Sequence, residues 1–108
     1  MKTYNIKENM PSVELALNRV NVIIKYEKDK AIKLIHGYGS HGVGGKIKEA
    51  LHQYLELLVN KQKIKAYIPG EAFGNLLGYD QVIKTYQNLL QTDSDYKKAN
   101  EGITYIIL

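Results

Sequence analysis

The stretch Ile32 to Gly45, IKLIHGYGSHGVGG, constrains this chain more than any other. An apolar run, Ile32-Lys33-Leu34-Ile35, reaches His36. It then enters a loop in which glycine takes five of the nine positions from Gly37 to Gly45. Behind the loop, Lys46 to Val59 puts Ile47, Ala50, Leu51, Tyr54, Leu55 and Leu58 on one face at helical spacing. A strand, a glycine-rich turn and a helix start together make an anion cradle. Glycine lets backbone N–H groups turn toward a ligand, and the helix start adds partial positive charge. Lys46 adds a full charge, and His36, Ser40 and His41 supply further donors. A turn needing glycine only for positive φ would be met by about two or three of them.

The elements around the loop alternate. Thr3 to Ile6 reads as a strand, and Pro11-Ser12 starts a helix on Val13, Ala16, Leu17, Val20 and Ile24. Tyr26 to Lys30 is a charged turn, and Ala31 to His36 is the second strand. The second helix ends near Asn60, with Lys48, His52 and Glu56 at i, i+4 spacing as its solvent face. Lys63 to Ile68 alternates as a third strand, Pro69-Gly70 breaks it, and Glu71 to Asp80 reads as a loop. Val82, Ile83, Tyr86, Leu89 and Leu90 mark a short third helix over Gln81 to Gln91. Thr92 to Asn100 is turn-like, and Ile103 to Leu108 closes the chain as a strand. Strands joined by helical crossovers predict a mixed sheet covered by helices, in one domain of 108 residues.

Some chemistries are excluded. There is no cysteine, which removes disulfides and thiolate metal sites and makes a cytoplasmic setting the default. No apolar run approaches the roughly 20 residues of a membrane span, so a membrane partner is not expected. Gly37 to Gly42 matches G-x-G-x-x-G formally, but the chain is too short for two nucleotide-binding halves and Glu71 falls too late. A P-loop is missing too, because Gly45-Lys46 is followed by Ile47 rather than Ser or Thr. Fifteen basic against 11 acidic residues give a net charge of +4, which favours a polyanionic partner. Arg19 is the one arginine among lysines, a composition suited to backbone or shape recognition rather than base-edge readout.

The loop also resembles a known family. His36-Gly37-Tyr38-Gly39, followed by Gly42 and by Lys46-Ile47-Lys48-Glu49-Ala50-Leu51, looks like the His-Gly-Xaa-Gly motif of the Smr (small MutS-related) domain. Ser12-Val13-Glu14-Leu15-Ala16-Leu17 resembles the Thr-Val-Glu-Glu-Ala-Leu that opens the family's first helix. Glu101-Gly102-Ile103-Thr104, running on to Leu108, resembles its closing Gly-Ala-Thr strand. The resemblance covers most of residues 3 to 70 and the last eight. It implies an α/β two-layer sandwich, a βαβαβ-type mixed four-stranded sheet with two main helices, similar to the C-terminal domain of translation initiation factor three. It also implies binding to DNA or RNA, and in several members endonuclease activity on branched or structured nucleic acid. Carried onto this chain, the nucleic-acid or phosphate contacts are His36, Gly37, Tyr38, Gly39, Ser40, His41, Gly42 and Lys46, with Tyr38 a ring for stacking. The catalytic candidates are His36 and His41. No resident metal or cofactor follows; Mg or Mn enters only with nuclease chemistry.

Two departures shape the expectation. The family's first strand ends in Leu-Asp-Xaa-His, whereas this one reads Tyr4-Asn5-Ile6-Lys7 and then Glu8-Asn9-Met10. Asn5 and Lys7, or Lys7 and Asn9, stand where the acid and histidine belong, and neither pair supplies a base or a good metal ligand. Binding is therefore better supported than cleavage. Residues 75–100 exceed the family's usual connection and read as an insertion. The alternative left open by the residues is a module holding a small phosphorylated ligand or a protein partner on the same loop.

Overall fold

The computed structural model describes residues 1–9, 11–37, 43–74 and 78–108, and side chains of the second helix from residue 45 on. Its strands are β1 (Lys2–Asn5), β2 (Ala31–Ile35), β3 (Ala66–Pro69) and β4 (Ile103–Ile107). The helices are α1 (Val13–Tyr26), α2 (Val43–Asn60) and α3 (Asp80–Leu90), with a 3-10 turn at Gly70–Phe73. The sheet runs β1-β2-β4-β3, with β1 and β2 parallel and β4 antiparallel to both neighbours. The mixed four-stranded α/β sheet expected from the sequence is present.

Local chemistry sets most of these boundaries. Ser12 Oγ accepts the Leu15 N–H at 3.1 Å and caps α1. Alternation along the strands then divides the core in two. Ile32, Leu34 and Ile106 face α1 and α2, where they meet Ala16, Val20, Ile47, Leu51 and Leu55. Ala31, Ile68, Ile103, Tyr105 and Ile107 face the other way, where Leu90 of α3 and the half-buried Val82, Ile83 and Tyr86 cover them. Every residue of β4 is buried, because both faces of that strand are covered. The sheet with α1 and α2 forms the two layers, and the described part of residues 75–100 lies across the sheet's second face.

Three boundaries differ from the sequence reading. Helix α2 begins at Val43 rather than Lys46, so Gly44 and Gly45 belong to its first turn. N–H groups there have no partner within the helix, which limits what glycine costs. Strand β3 starts at Ala66 rather than Lys63, and Pro69 is its last residue rather than its breaker. Because, among the described residues, β3 pairs only with β4, its other edge has no ladder there and the missing proline N–H is tolerated. Strand β1 spans Lys2–Asn5, one residue earlier than expected, although the Ile6 N–H still reaches the Ile35 carbonyl at 3.0 Å.

Helix α2 ends in a left-handed turn. The Lys63 N–H bonds the Leu58 carbonyl and the Gln62 N–H bonds the Val59 carbonyl, which leaves Gln62 at φ +60°. Gln62→Gly is expected to stabilise the protein by about 0.5–1 kcal/mol, since the left-handed penalty exceeds the entropy glycine adds to the unfolded chain. A urea midpoint unchanged or lowered in this variant would contradict the turn.

On the α3 side of β2, Lys33 enters the interior. Its Nζ lies 2.9 Å from Asp93 Oδ2 and 2.7 Å from Asp95 Oδ2, and Tyr105 donates to the same Asp93 oxygen at 2.7 Å. The Lys33 side chain is 7% exposed.

Candidate functional site

Strand β2 hands over to the glycine-rich loop at His36 and Gly37. Both their N–H groups donate to the Gly102 carbonyl, at 3.0 and 3.1 Å, so the turn ahead of β4 fixes where the chain leaves the sheet. Gly37 has φ +73°, a conformation that favours glycine. Of the predicted contact residues, Tyr38, Gly39, Ser40, His41 and Gly42 lie outside the described residues. His36 and Gly37 stand at the loop's entry, and Lys46 is exposed in the first turns of α2.

His36 is fully buried, and both its ring nitrogens are engaged. Its Nδ1 lies 2.5 Å from the Gly37 carbonyl, which can only accept, so Nδ1 carries the proton. In the neutral ring Nε2 is then an acceptor, and the Thr104 hydroxyl 2.8 Å away donates to it. With its proton used, Thr104 Oγ1 accepts from His52 Nε2–H, also at 2.8 Å. A directed chain results: His52 to Thr104 to His36 to the Gly37 carbonyl. Burial, reinforced by Lys48, lowers the His36 pKa against the pull of the Gly37 carbonyl and Glu71. Burial, then His36 and Lys48, bring His52 down to about 4 against Glu71. Both rings are neutral at pH 7, as the chain requires.

The expected solvent face of α2 is therefore a paired one. Lys48 bonds Glu71, His52 bonds Thr104, and Glu56 accepts from Tyr67. Helix α2 leans its apolar side toward α1 and sets this polar stripe against β4, β3 and the 3-10 turn. The rings continue outward. His36 and His52 are 5.8 Å apart edge to face, Tyr67 lies 5.6 Å beyond His52, and Tyr79 lies 6.2 Å beyond Tyr67. Sequence reasoning missed Thr104, Glu71 and Tyr67 as members of this cluster. The available signal was Thr104, a polar residue placed on the same strand face as Ile106.

Lys7 is the other addition. A Cβ at Gly37 would meet its Cδ at 3.2 Å, so the lysine standing near the family's missing acid and histidine lies against the loop's first residue. Arg19 Nη1 donates to the Ile6 and Glu8 carbonyls at 3.1 and 2.8 Å and fixes the turn that carries Lys7. Among the described residues, no three of His, Asp, Glu or Cys are grouped to hold a metal ion. Nor, among the same residues, is any helix long and apolar enough to cross a membrane.

Thr104→Val keeps the side chain's shape but leaves two ring nitrogens without a partner, one of them fully buried. A loss of about 2 kcal/mol in chemical denaturation is expected, and Thr104→Ser should retain most of the stability. Equal stability for the valine and serine variants would remove the hydroxyl from the account.

Comparison with family models, with curated proteins and with solved structures finds no match for this chain. Its function has to be read from its own residues and their placement.

Proposed function

We propose that the chain is a nucleic-acid-binding domain of the Smr type. Its contacts to the phosphate backbone are Tyr38 to Gly42 together with Lys46, reached through the His36-Gly37 pair whose own N–H groups and imidazole are already engaged, and its two-layer core is built like the C-terminal domain of translation initiation factor three. One observation carries the reading. The His36-Gly37 pair, on which the resemblance turns, is anchored where β2 meets the loop, with Thr104 and His52 behind it and Lys7 against it. A ligand loop anchored at its entry loses less conformational entropy on binding.

Cleavage has less support than binding. His36, one of the two catalytic candidates, has its ring nitrogens committed to Gly37 and Thr104, and Asn5 Oδ1 accepts the Lys7 N–H at 3.0 Å. Fluorescence anisotropy with single- and double-stranded DNA and RNA tests the reading. Affinity should fall steeply with salt, and Gly39→Glu and Lys46→Glu should weaken it. Absence of binding to all four at low salt would sink the proposal. Supercoiled DNA and structured RNA incubated with magnesium or manganese, with His41→Ala as control, separate a nuclease from a binder.

A further inference from the structure

Half of the fourteen lysines lie at the end of the sheet opposite the point where the glycine-rich loop begins. That loop leaves the carboxyl end of β2, whereas Lys30 precedes the amino end of the same strand, roughly 17 Å away by strand rise. Lys2 opens β1, which is paired to β2 in parallel from Lys2 opposite Ile32. Lys65 precedes β3 and bonds the Ile107 carbonyl, while the Leu108 N–H bonds the Lys30 carbonyl. Lys2, Lys30 and Lys65 thus mark one end of the sheet. Above it, Lys25 and Lys28 lie at the carboxyl end of α1, and Lys61 and Lys63 just beyond α2.

All seven of these lysines are exposed. In the same stretches of chain the acidic residues are Glu27 and Asp29. Glu27 is taken up by the Tyr4 hydroxyl, by the N–H groups of Lys28 and Asp29, and by Lys2 at 3.4 Å. Among the described residues, Lys2 is the one member of the seven in an ion pair. Seven lysines against two side-chain carboxylates give this pole +5, while the whole chain carries +4. The rest of the protein therefore sums to −1, and the basic character that pointed to a polyanion belongs to this pole. Helix dipoles do not account for it. Lys25 lies in the last turn of α1, but the last turn of α2 holds no basic residue.

We propose that this pole is a second contact surface for nucleic-acid backbone, separate from the glycine-rich loop. The identity of the polyanion rests on the nucleic-acid reading; the location does not rest on the loop. Exposed lysines on both layers present point charges over a broad face, as backbone phosphates require. Tyr26, 69% exposed with Lys25 Nζ 5.4 Å above its ring, adds a face on which a base stacks.

The test compares Lys61→Gln/Lys63→Gln/Lys65→Gln with Lys46→Glu, using labelled DNA and RNA over a salt series. Lys25→Gln/Lys28→Gln/Lys30→Gln serves as a second pole variant, and circular dichroism checks folding. Either pole variant should weaken binding by about tenfold or more and reduce the slope of log affinity on log salt by about two to three. Pole variants that bind like the wild type while Lys46→Glu fails would overturn this proposal and leave the loop reading standing. The reverse pattern would overturn the loop reading and keep the pole. A wild type that ignores DNA and RNA yet binds phosphatidylserine vesicles through these lysines would assign the pole to a membrane and defeat both.

Discussion

Lys33→Ala is expected to lower stability by about 3–5 kcal/mol, the usual consequence of leaving buried charges without their partner. Lys33 reaches two carboxylates at 2.9 and 2.7 Å, and Asp93 is 10% exposed, so water cannot readily replace the ammonium. The cluster also holds the segment carrying Asp93, Asp95 and Asn100 onto the sheet. Asn100 Nδ2 donates to Asp95 Oδ1 at 3.1 Å, and Asn100 Oδ1 accepts the Gly102 N–H at 2.8 Å. A urea titration measures the loss, and Lys33→Met combined with Asp93→Asn and Asp95→Asn should recover part of it. A loss below about 1 kcal/mol would mean that the cluster behaves like a surface pair.

The same groups set a pH profile. Burial works to lower the Lys33 pKa, but hydrogen bonds to Asp95 and Asp93 outweigh it and hold the pKa above the usual lysine value of 10.5. Its contribution is complete below that value and is lost as pH rises through the folded pKa. Burial works to raise Asp93, yet Tyr105 and Lys33 hold it below 3.8; Lys33 and Asn100 do the same for Asp95. Their contribution is present above 3.8 and disappears as pH falls through the folded values. Glu27, drawn down from 4.5 to about 2 mainly by the Tyr4 hydroxyl, adds a loss across that interval. Denaturation midpoints should form a plateau near neutrality and decline on both sides. A flat acid limb would contradict these pairings.

Gly70→Ala is the second large effect, with an expected loss of about 3 kcal/mol. A Cβ at Gly70 would stand 1.9 Å from the Asn100 carbonyl oxygen and 2.8 Å from Ile103 Cγ1. Asn100 cannot retreat without giving up its bonds to Asp95 and Gly102. The strain would reach the candidate site by two routes. Gly70 precedes Glu71, the partner of Lys48, and Asn100 positions Gly102, whose carbonyl holds His36 and Gly37. Urea denaturation and amide shifts at Gly37 read the two effects. Unchanged stability in the alanine variant would refute the close approach.

Local signals in the sequence were sufficient for the order of strands and helices. Ser12 capping α1 and the apolar spacing from Ile47 to Leu58 depend on near neighbours, and the structure has both. The stripe of Lys48, His52 and Glu56 was misread because its partners lie 23, 52 and 11 residues away. Helical spacing distinguishes a polar face from an apolar one, but not a solvated polar face from a paired one. Lys33 poses the same problem, with carboxylate partners 60 and 62 residues further on. The basic pole was hidden for a related reason. Its lysines fall in three separate stretches, at the start of β1 and around the α1–β2 and α2–β3 connections, and only the return of each strand and helix to the same end brings them together.

The Gly37 carbonyl gives the buried histidine chain its polarity. Thr104 can point its proton either way, and each imidazole can carry its proton on either nitrogen; a carbonyl has no such choice. One backbone oxygen at the mouth of the loop thereby dictates the tautomer of His52, two side chains distant. Turning that peptide group would release the order of all three groups together. Nitrogen chemical shifts of the two imidazoles would then report the orientation of the Gly37 carbonyl, legible before any ligand is known.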